Sequence, residues 1–262
     1  MGGKSYLGTS GVGRWITPKL PYRKAYIEPF AGMLGVLLQR KKSTTEIIND
    51  INGLIYIFWK CVRDHPEQLA WKINYTPKCR QSFNDAQKMK ARYLSGEDVD
   101  LVDVAHAVSV ILIYGFSGII ESKSISFSAE WKNNNLNKFA HKISALHTRL
   151  IDIQIERKCA LELLDDLKGN DNCVIYCDPP YPDKYNGYNF DINSVSDFTD
   201  ILKSQKGKVA VSGYDGDFDC LDWHKQTFKS FLKIGEMETK RERVEALWTN
   251  FKPETQKTLF DL

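Results

Sequence analysis

Short apolar runs punctuate the two ends of the chain and read as buried strands: Ala25-Tyr26-Ile27-Glu28, Glu46-Ile47-Ile48-Asn49, Ile151-Asp152-Ile153-Gln154-Ile155, Cys173-Val174-Ile175-Tyr176-Cys177, Lys208-Val209-Ala210-Val211-Ser212 and Glu245-Ala246-Leu247-Trp248. Helical patterns lie between them at Val36 to Arg40, Gly53 to Arg63, Leu161 to Leu167 and Asn193 to Ser204. This alternation predicts an α/β fold with a mostly parallel sheet. From about residue 55 to 148 the rhythm changes to mainly helix, with polar loops around Ser95-Gly96-Glu97-Asp98 and Lys132-Asn133-Asn134-Asn135. An inserted, mainly helical lobe over 55–148 is therefore expected, within a core formed by 1–54 and 149–262.

At 262 residues and 42% hydrophobic positions, the composition excludes a disordered or collagen-like chain. Six cysteines are scattered singly without a C-x-x-C pair, which favours reduced thiols and a cytoplasmic protein. His106, His141 and His147 fall in helical patterns without metal-ligand spacing, so no metal is expected. The start, Met1-Gly2-Gly3-Lys4-Ser5-Tyr6, carries no charged-then-apolar leader, and no apolar run approaches about 18 residues. A chain neither secreted nor spanning a membrane is expected.

Charge changes the picture further. Residues 1–149 hold 21 Lys+Arg and 12 Asp+Glu, whereas residues 150–262 hold 15 and 21. A basic first half suits a polyanionic partner.

The sharpest chemical signal is Asp178-Pro179-Pro180-Tyr181, directly after the Cys173 to Cys177 strand. Such a four-residue string turns up by chance in roughly one chain in a thousand of this length. A residue before proline is pushed out of the helical region, and proline has a locked φ and no N–H. A rigid turn results, offering the Asp178 carboxylate and the Pro179 carbonyl as acceptors, followed by the Tyr181 ring. Two acceptors and a stacking face suit an exocyclic amine on a planar base, which presents two N–H donors. Upstream, Tyr26 to Val36 reads as a strand, a tight turn with Gly32 and Gly35, and the start of a helix. The turn lacks both the Gly-x-Gly-x-x-Gly pattern and a Walker ending, which argues against a dinucleotide oxidoreductase or a P-loop enzyme. Asp50 closes the second strand, where a carboxylate can accept both hydroxyls of a ribose or cap a helix.

In order, Gly2-Gly3-Lys4, Glu28-Pro29-Phe30-Ala31-Gly32-Met33-Leu34-Gly35, Asn49-Asp50-Ile51-Asn52, Tyr176-Cys177-Asp178-Pro179-Pro180-Tyr181 and Arg243-Val244-Glu245-Ala246-Leu247-Trp248-Thr249-Asn250 resemble the D12 class, or alpha group, of DNA adenine-N6 methyltransferases. The resemblance runs from residue 2 to about 251. It implies a Rossmann-like methyltransferase fold with an inserted target recognition domain, S-adenosylmethionine as cofactor and double-stranded DNA as partner. The catalytic turn would be Asp178, Pro179, Pro180 and Tyr181. Lys4, Glu28, Pro29, Phe30, Ala31, Gly32, Gly35, Asp50, Cys159, Ala160 and Asp178 would meet the cofactor. The DNA-reading hairpin would run from Ile119 to Trp131 after Ile113 to Gly118. Tyr114, Ser117, Lys123, Lys132, Lys184 and Tyr185 would contact DNA, with Pro182 to Phe190 closing over the base.

The chain departs from the family pattern in two places. It begins at Met1, without the basic and aromatic residues that usually precede Gly-Gly-Lys, so looser reading of the base flanking the target is expected. Cys159 stands where an acid often meets the cofactor adenine, a task that Asp165 or a backbone amide would then take. A monomer is expected, in a bacterial or phage-infected cell, either solitary or linked to a restriction enzyme. Two other readings stay open: a catalytically weak DNA-binding protein on the same scaffold, and an adenine-N6 methyltransferase acting on RNA.

Overall fold

The computed structural model describes residues 11–115, 120, 125–127, 136–180, 192–233 and 240–253. In chain order the elements are α1 (Gly11–Ile16), β1 (Ala25–Glu28), β2 (Thr45–Asn49), α2 (Gly53–Asp64), α3 (Pro66–Asn74), α4 (Arg80–Leu94), α5 (Leu101–Tyr114), α6 (Leu136–Leu150), β3 (Gln154–Glu156), α7 (Ala160–Leu167), β4 (Cys173–Cys177), α8 (Ile192–Lys203), β5 (Lys208–Tyr214), β6 (His224–Lys233) and β7 (Lys240–Thr249). The fold is mixed α/β, with a seven-stranded, mostly parallel sheet. The chain divides into two compact units, Asn52–Arg157 and Gly3–Ile51 with Lys158–Leu262.

Six strands of the second unit lie in the order β2-β1-β4-β5-β7-β6. β1 pairs in parallel with β2 and β4, and β4 with β5, while β7 runs antiparallel to both β5 and β6. All five residues of β4 are buried, as a central parallel strand covered on both faces requires. The register aligns Ile27 with Ile175 and Ile175 with Val209, so odd-numbered side chains of the three strands share one face. That face is apolar and packs on Leu163 and Leu164 of α7 and Phe198 and Leu202 of α8. An edge-to-face series, Phe30 to Phe198 to Phe218 to Trp248, extends it at centroid spacings of 5.7, 6.0 and 5.5 Å. Each such ring removes enough apolar surface from water to stabilise the unit by roughly 1.5–3 kcal/mol.

The first unit is helical. α5 buries ten of its 14 residues and packs against α2, α3, α4 and α6, consistent with a sequence apolar almost all round. Its start is set by Asp100, whose carboxylate accepts from the Val102 amide at 2.7 Å. Asn52 caps α2 through Leu54 at 2.9 Å, and Pro66 opens α3 where a missing N–H costs nothing. No helix among the described residues is long and apolar enough to cross a membrane.

Three expectations need correction. Val36 to Arg40 forms a single 3-10 turn, Leu37–Gln39, which ends where Arg40 becomes extended at φ −91° and ψ 153° with its guanidinium bonded to the Leu20 and Pro21 carbonyls. The third strand begins at Gln154, since Ile153 N–H still closes the end of α6 on the Leu150 carbonyl at 2.9 Å. β6 was not expected at all: His224 to Lys233 is largely polar, and its strand form comes from pairing along the whole of β7. Of the expected hairpin from Ile119 to Trp131, only residues 120 and 125–127 lie among the described residues, with an antiparallel bridge from Phe127 to Gly115.

Gly13, in α1, sits against the Gly35 turn. A Cβ there would lie 2.6 Å from the Gly35 carbonyl oxygen and 2.5 Å from Gln39 Nε2. A helical Gly→Ala change ordinarily stabilises by about 0.4–1 kcal/mol. Gly13→Ala is expected to do the reverse and lower the denaturation midpoint, and an unchanged or raised midpoint would disprove this packing.

Candidate active site

Winding of the second unit reverses between β1 and β4, because the chain proceeds from β1 outward to β2 on one side and places β4 and β5 on the other. Ligands of open α/β sheets lie beyond the carboxyl ends of the strands at such a reversal. The two motifs singled out in the sequence leave the sheet at this point, Glu28 to Gly35 from β1 and Asp178 to Pro180 from β4.

Asp178 is half-buried and Pro179 buried. Across the β4–β5 pair, Tyr176 lies opposite Ala210 and Cys177 opposite Val211, which brings Ser212 beside Asp178. Ser212 Oγ donates to Asp178 Oδ1 at 3.0 Å, with the Cys177 carbonyl a second acceptor at 3.3 Å. The Tyr176 hydroxyl is 2.9 Å from Ser212 Oγ. Burial, and next the Asp178 charge, push the Tyr176 phenol well above its ordinary range, so it stays protonated.

The β1 turn is held by carboxylates and one amide side chain. Ala31 N–H bonds to the Asn49 carbonyl at 2.8 Å, and Gly32 N–H donates to Asp50 Oδ2 at 2.9 Å. Asn52 rather than Asp50 caps α2, so the Asp50 carboxylate is turned toward the glycine turn instead. Gly32 has φ +47°, and nothing lies within 4 Å of where a Cβ would be. The turn therefore presents bare backbone to open space. Leu34 also takes a positive φ of 55° and is fully buried, strain that the surrounding packing holds in place.

Asn49, buried at the end of β2, donates from Nδ2 to the Pro29 carbonyl at 2.9 Å and to the Lys158 carbonyl at 3.1 Å, while its Oδ1 accepts from Lys158 N–H at 2.9 Å. This one side chain ties the Pro29 turn to the segment entering Cys159 and Ala160. Glu28 is buried and accepts from the Tyr26 hydroxyl at 2.7 Å and from the Leu37 amide. Burial pushes the Glu28 carboxyl up to about 8, with Tyr26, Leu37 and Arg40 opposing the rise and Asp178 adding to it. The Arg40 guanidinium lies 4.2 Å from the centre of the Tyr26 ring and donates to the Leu20 and Pro21 carbonyls.

Of the residues selected from the sequence, Glu28, Pro29, Phe30, Ala31, Gly32, Asp50, Asp178, Pro179 and Pro180 gather at the carboxyl edge of β1, β2 and β4. Cys159 and Ala160 join them through Asn49 at the start of α7. Cys159 makes no capping bond with its side chain, and Asp165 is exposed and paired with Lys168 at 2.5 Å. Gly35 serves packing: its carbonyl accepts from Gln39 Nε2 at 2.5 Å, and its backbone meets Gly13. Tyr114 ends α5 at 3% exposure, edge-on to Phe127 and beneath the Lys78 ammonium, because the last turn of α5 faces inward. Lys4, Tyr181, Ser117, Lys123, Lys132, Lys184 and Tyr185 lie outside the described residues, as does the segment from 182 to 190. Among the described residues no group of three or more His, Cys, Asp or Glu is arranged to hold a metal ion. Ser212, Tyr176, Asn49 and Tyr26 were missed in the sequence. Their shared signal is a polar group within or ending an otherwise apolar buried strand.

The profile of the D12 class N6 adenine-specific DNA methyltransferases matches residues 2–242. No curated protein matches the chain. Among solved structures, a precorrin 8W decarboxylase from Methanobacterium thermoautotrophicum is similar over 92% of this chain and 90% of that one, at 10% sequence identity and a TM-score of 0.36.

The raised Glu28 carboxyl has a consequence for stability. The folded chain keeps a proton that the unfolded chain, with a carboxyl near 4.5, releases. The resulting stabilisation is complete below about 4.5 and is lost as pH rises to about 8, with a slope of up to about 1.4 kcal/mol per pH unit. Glu28→Gln is expected to flatten that slope in urea denaturation between pH 5 and 9. Parallel stability curves for the two proteins would refute it.

Proposed function

We propose that this chain, which belongs to the D12 class of N6 adenine-specific DNA methyltransferases, transfers a methyl group from S-adenosylmethionine to N6 of an adenine flipped out of duplex DNA at a defined sequence. The observation that carries the reading is the convergence of the Asp178-Pro179-Pro180 turn and the Gly32 turn at one reversal of the sheet.

The residues present fit the cofactor. The Gly32 turn offers open space beside unshielded backbone, and Asp50 stands next to it as an acceptor for ribose hydroxyls. Phe30 and Ala31 would line the same turn, with Cys159 and Ala160 brought close by Asn49. When bound, S-adenosylmethionine supplies an activated methyl group on a sulfonium sulfur.

The protein's own task is to make a poor nucleophile available. The N6 lone pair of adenine is delocalised into the ring, and extrusion of the base costs a few kcal/mol, offset partly by stacking, for which Tyr181 is the candidate. Asp178 and the Pro179 carbonyl would each accept one amine N–H and draw the nitrogen toward tetrahedral geometry. Positioned acceptors of this kind stabilise positive charge as it develops on nitrogen. The N–C bond forms as the C–S bond breaks, and the amine proton, acidic only once the methyl has arrived, leaves toward the Asp178 carboxylate or solvent. Alignment of the two pockets supplies the remainder.

The helical unit Asn52–Arg157 would read the DNA, supported by the basic excess of the first 149 residues. Lys123, Lys132 and Lys184 would contact phosphates, in keeping with the salt dependence such contacts bring. The enzyme would act as a monomer in the cytoplasm.

Labelled methyl transfer to unmethylated duplex DNA, followed by nucleoside analysis, is expected to give N6-methyladenine at a defined motif. Asp178→Ala is expected to lower transfer by about 10²–10³-fold or more while leaving the denaturation midpoint nearly unchanged. Full activity in that variant, or methylation of RNA in preference to duplex DNA, would overturn the assignment.

A further inference from the structure

We infer that Ser212 and Tyr176 are positioning residues for the Asp178 carboxylate, forming a buried hydroxyl relay that sets the plane in which Asp178 meets the amine. The inference rests on the methyltransferase reading of Asp178 and adds two residues to it.

Asp178 stands beyond the end of β4, where ladder pairing no longer holds it. The torsion that orients a carboxylate is a broad sp³–sp² rotation, so sterics alone leave its oxygens poorly placed. Ser212 removes that freedom by donating to Oδ1 at 3.0 Å from a position 1% exposed on the adjoining strand. A serine hydroxyl is itself a rotor with two acceptors in reach, Asp178 Oδ1 and the Cys177 carbonyl. Tyr176 limits this choice. Its hydroxyl, 2.9 Å from Ser212 Oγ and 3% exposed, donates to the serine oxygen and leaves the serine proton for Asp178.

Register makes the relay possible. Asp178 follows Tyr176 by two residues, just past the end of β4, and Ser212 lies two beyond Ala210, the partner of Tyr176. All three project from the same face of the sheet. No water is needed to complete the chain, and at this burial none could replace a deleted hydroxyl without a new cavity.

The relay predicts where a loss appears. Both residues are buried behind Asp178, so binding constants should hold while the methyl-transfer step slows. Ser212→Ala is expected to lower the single-turnover rate about ten- to hundred-fold, the scale on which a misplaced catalytic group costs rate. Ser212→Thr, which keeps the hydroxyl, should recover most of it. Tyr176→Phe should give a smaller loss. Since Tyr176 acts through Ser212, the double variant should be no slower than Ser212→Ala alone.

A second readout does not depend on turnover. The carbon-13 chemical shift of the Asp178 carboxylate, measured at one fixed pH, should move in Ser212→Ala, because the hydroxyl that donates to Oδ1 is gone. Ser212→Ala within twofold of the parent rate, a loss confined to KM, multiplicative effects in the double variant, or an unmoved carboxylate chemical shift would each overturn the relay. A parent protein that transfers no methyl group to adenine would overturn the methyltransferase reading itself, and the carboxylate chemical shift would then decide the Ser212 contact alone.

Discussion

Parallel pairing of β4 between β1 and β5 is the constraint from which the rest of the site follows. A central parallel strand must be apolar on both faces, and Cys173 to Cys177 is buried throughout. Once the three strands are in register, side-chain alternation sends odd-numbered positions to the packed face with α7 and α8. Even-numbered positions form a second row, Tyr26 and Glu28 on β1, Tyr176 leading to Asp178 on β4, and Ser212 on β5. Glu28, Asp178 and Ser212 stand in that row near the carboxyl ends, where the winding reverses, whereas Lys208 opens β5 at its other end. A slip of one residue would exchange the two rows and bury the acids against Phe198 and Leu202.

Buried polar groups at these strand ends require partners, and the partners do structural work. Glu28 has Tyr26 and the Leu37 amide, Asn49 has Pro29 and Lys158, and Asp178 has Ser212. Each pairing also anchors a loop. Glu28 holds the far end of the β1 turn at Leu37, Asp50 holds its start at Gly32, and Asn49 brings in the chain before Cys159. The turn can thus keep Gly32 and Leu34 at positive φ without a regular helix behind it. Preorganisation here comes from side chain to backbone bonds, which cost little rearrangement when a ligand arrives.

Much of this was legible in the sequence where periodicity and turn chemistry speak locally. Cys173 to Cys177 was recognisable by its uninterrupted burial pattern, and α2, α7 and α8 by their apolar spacing. The Asp-Pro-Pro turn was legible because proline restricts conformation whatever surrounds it. β6 was not, since His224 to Lys233 has the composition of a loop and becomes a strand only against β7. The Val36 to Arg40 helix was misread because Arg40 turns extended to bond the Leu20 and Pro21 carbonyls, about 20 residues away in the chain, and the turn stops there.

The amino-acid order by itself determined the α/β alternation, the rigid acceptor turn at Asp178, the glycine turn at Gly32 and the family to which the chain belongs, all properties carried by neighbouring residues. Tertiary structure alone decided that Ser212 meets Asp178 across 34 residues of chain, that Asn49 reaches Lys158 across 109, and that Glu28 becomes a carboxyl of high pKa. The physical reason is common to all three. Hydrogen bonds between strand ends and the desolvation of a carboxyl depend on strand order and register, and local sequence specifies neither until the sheet has assembled.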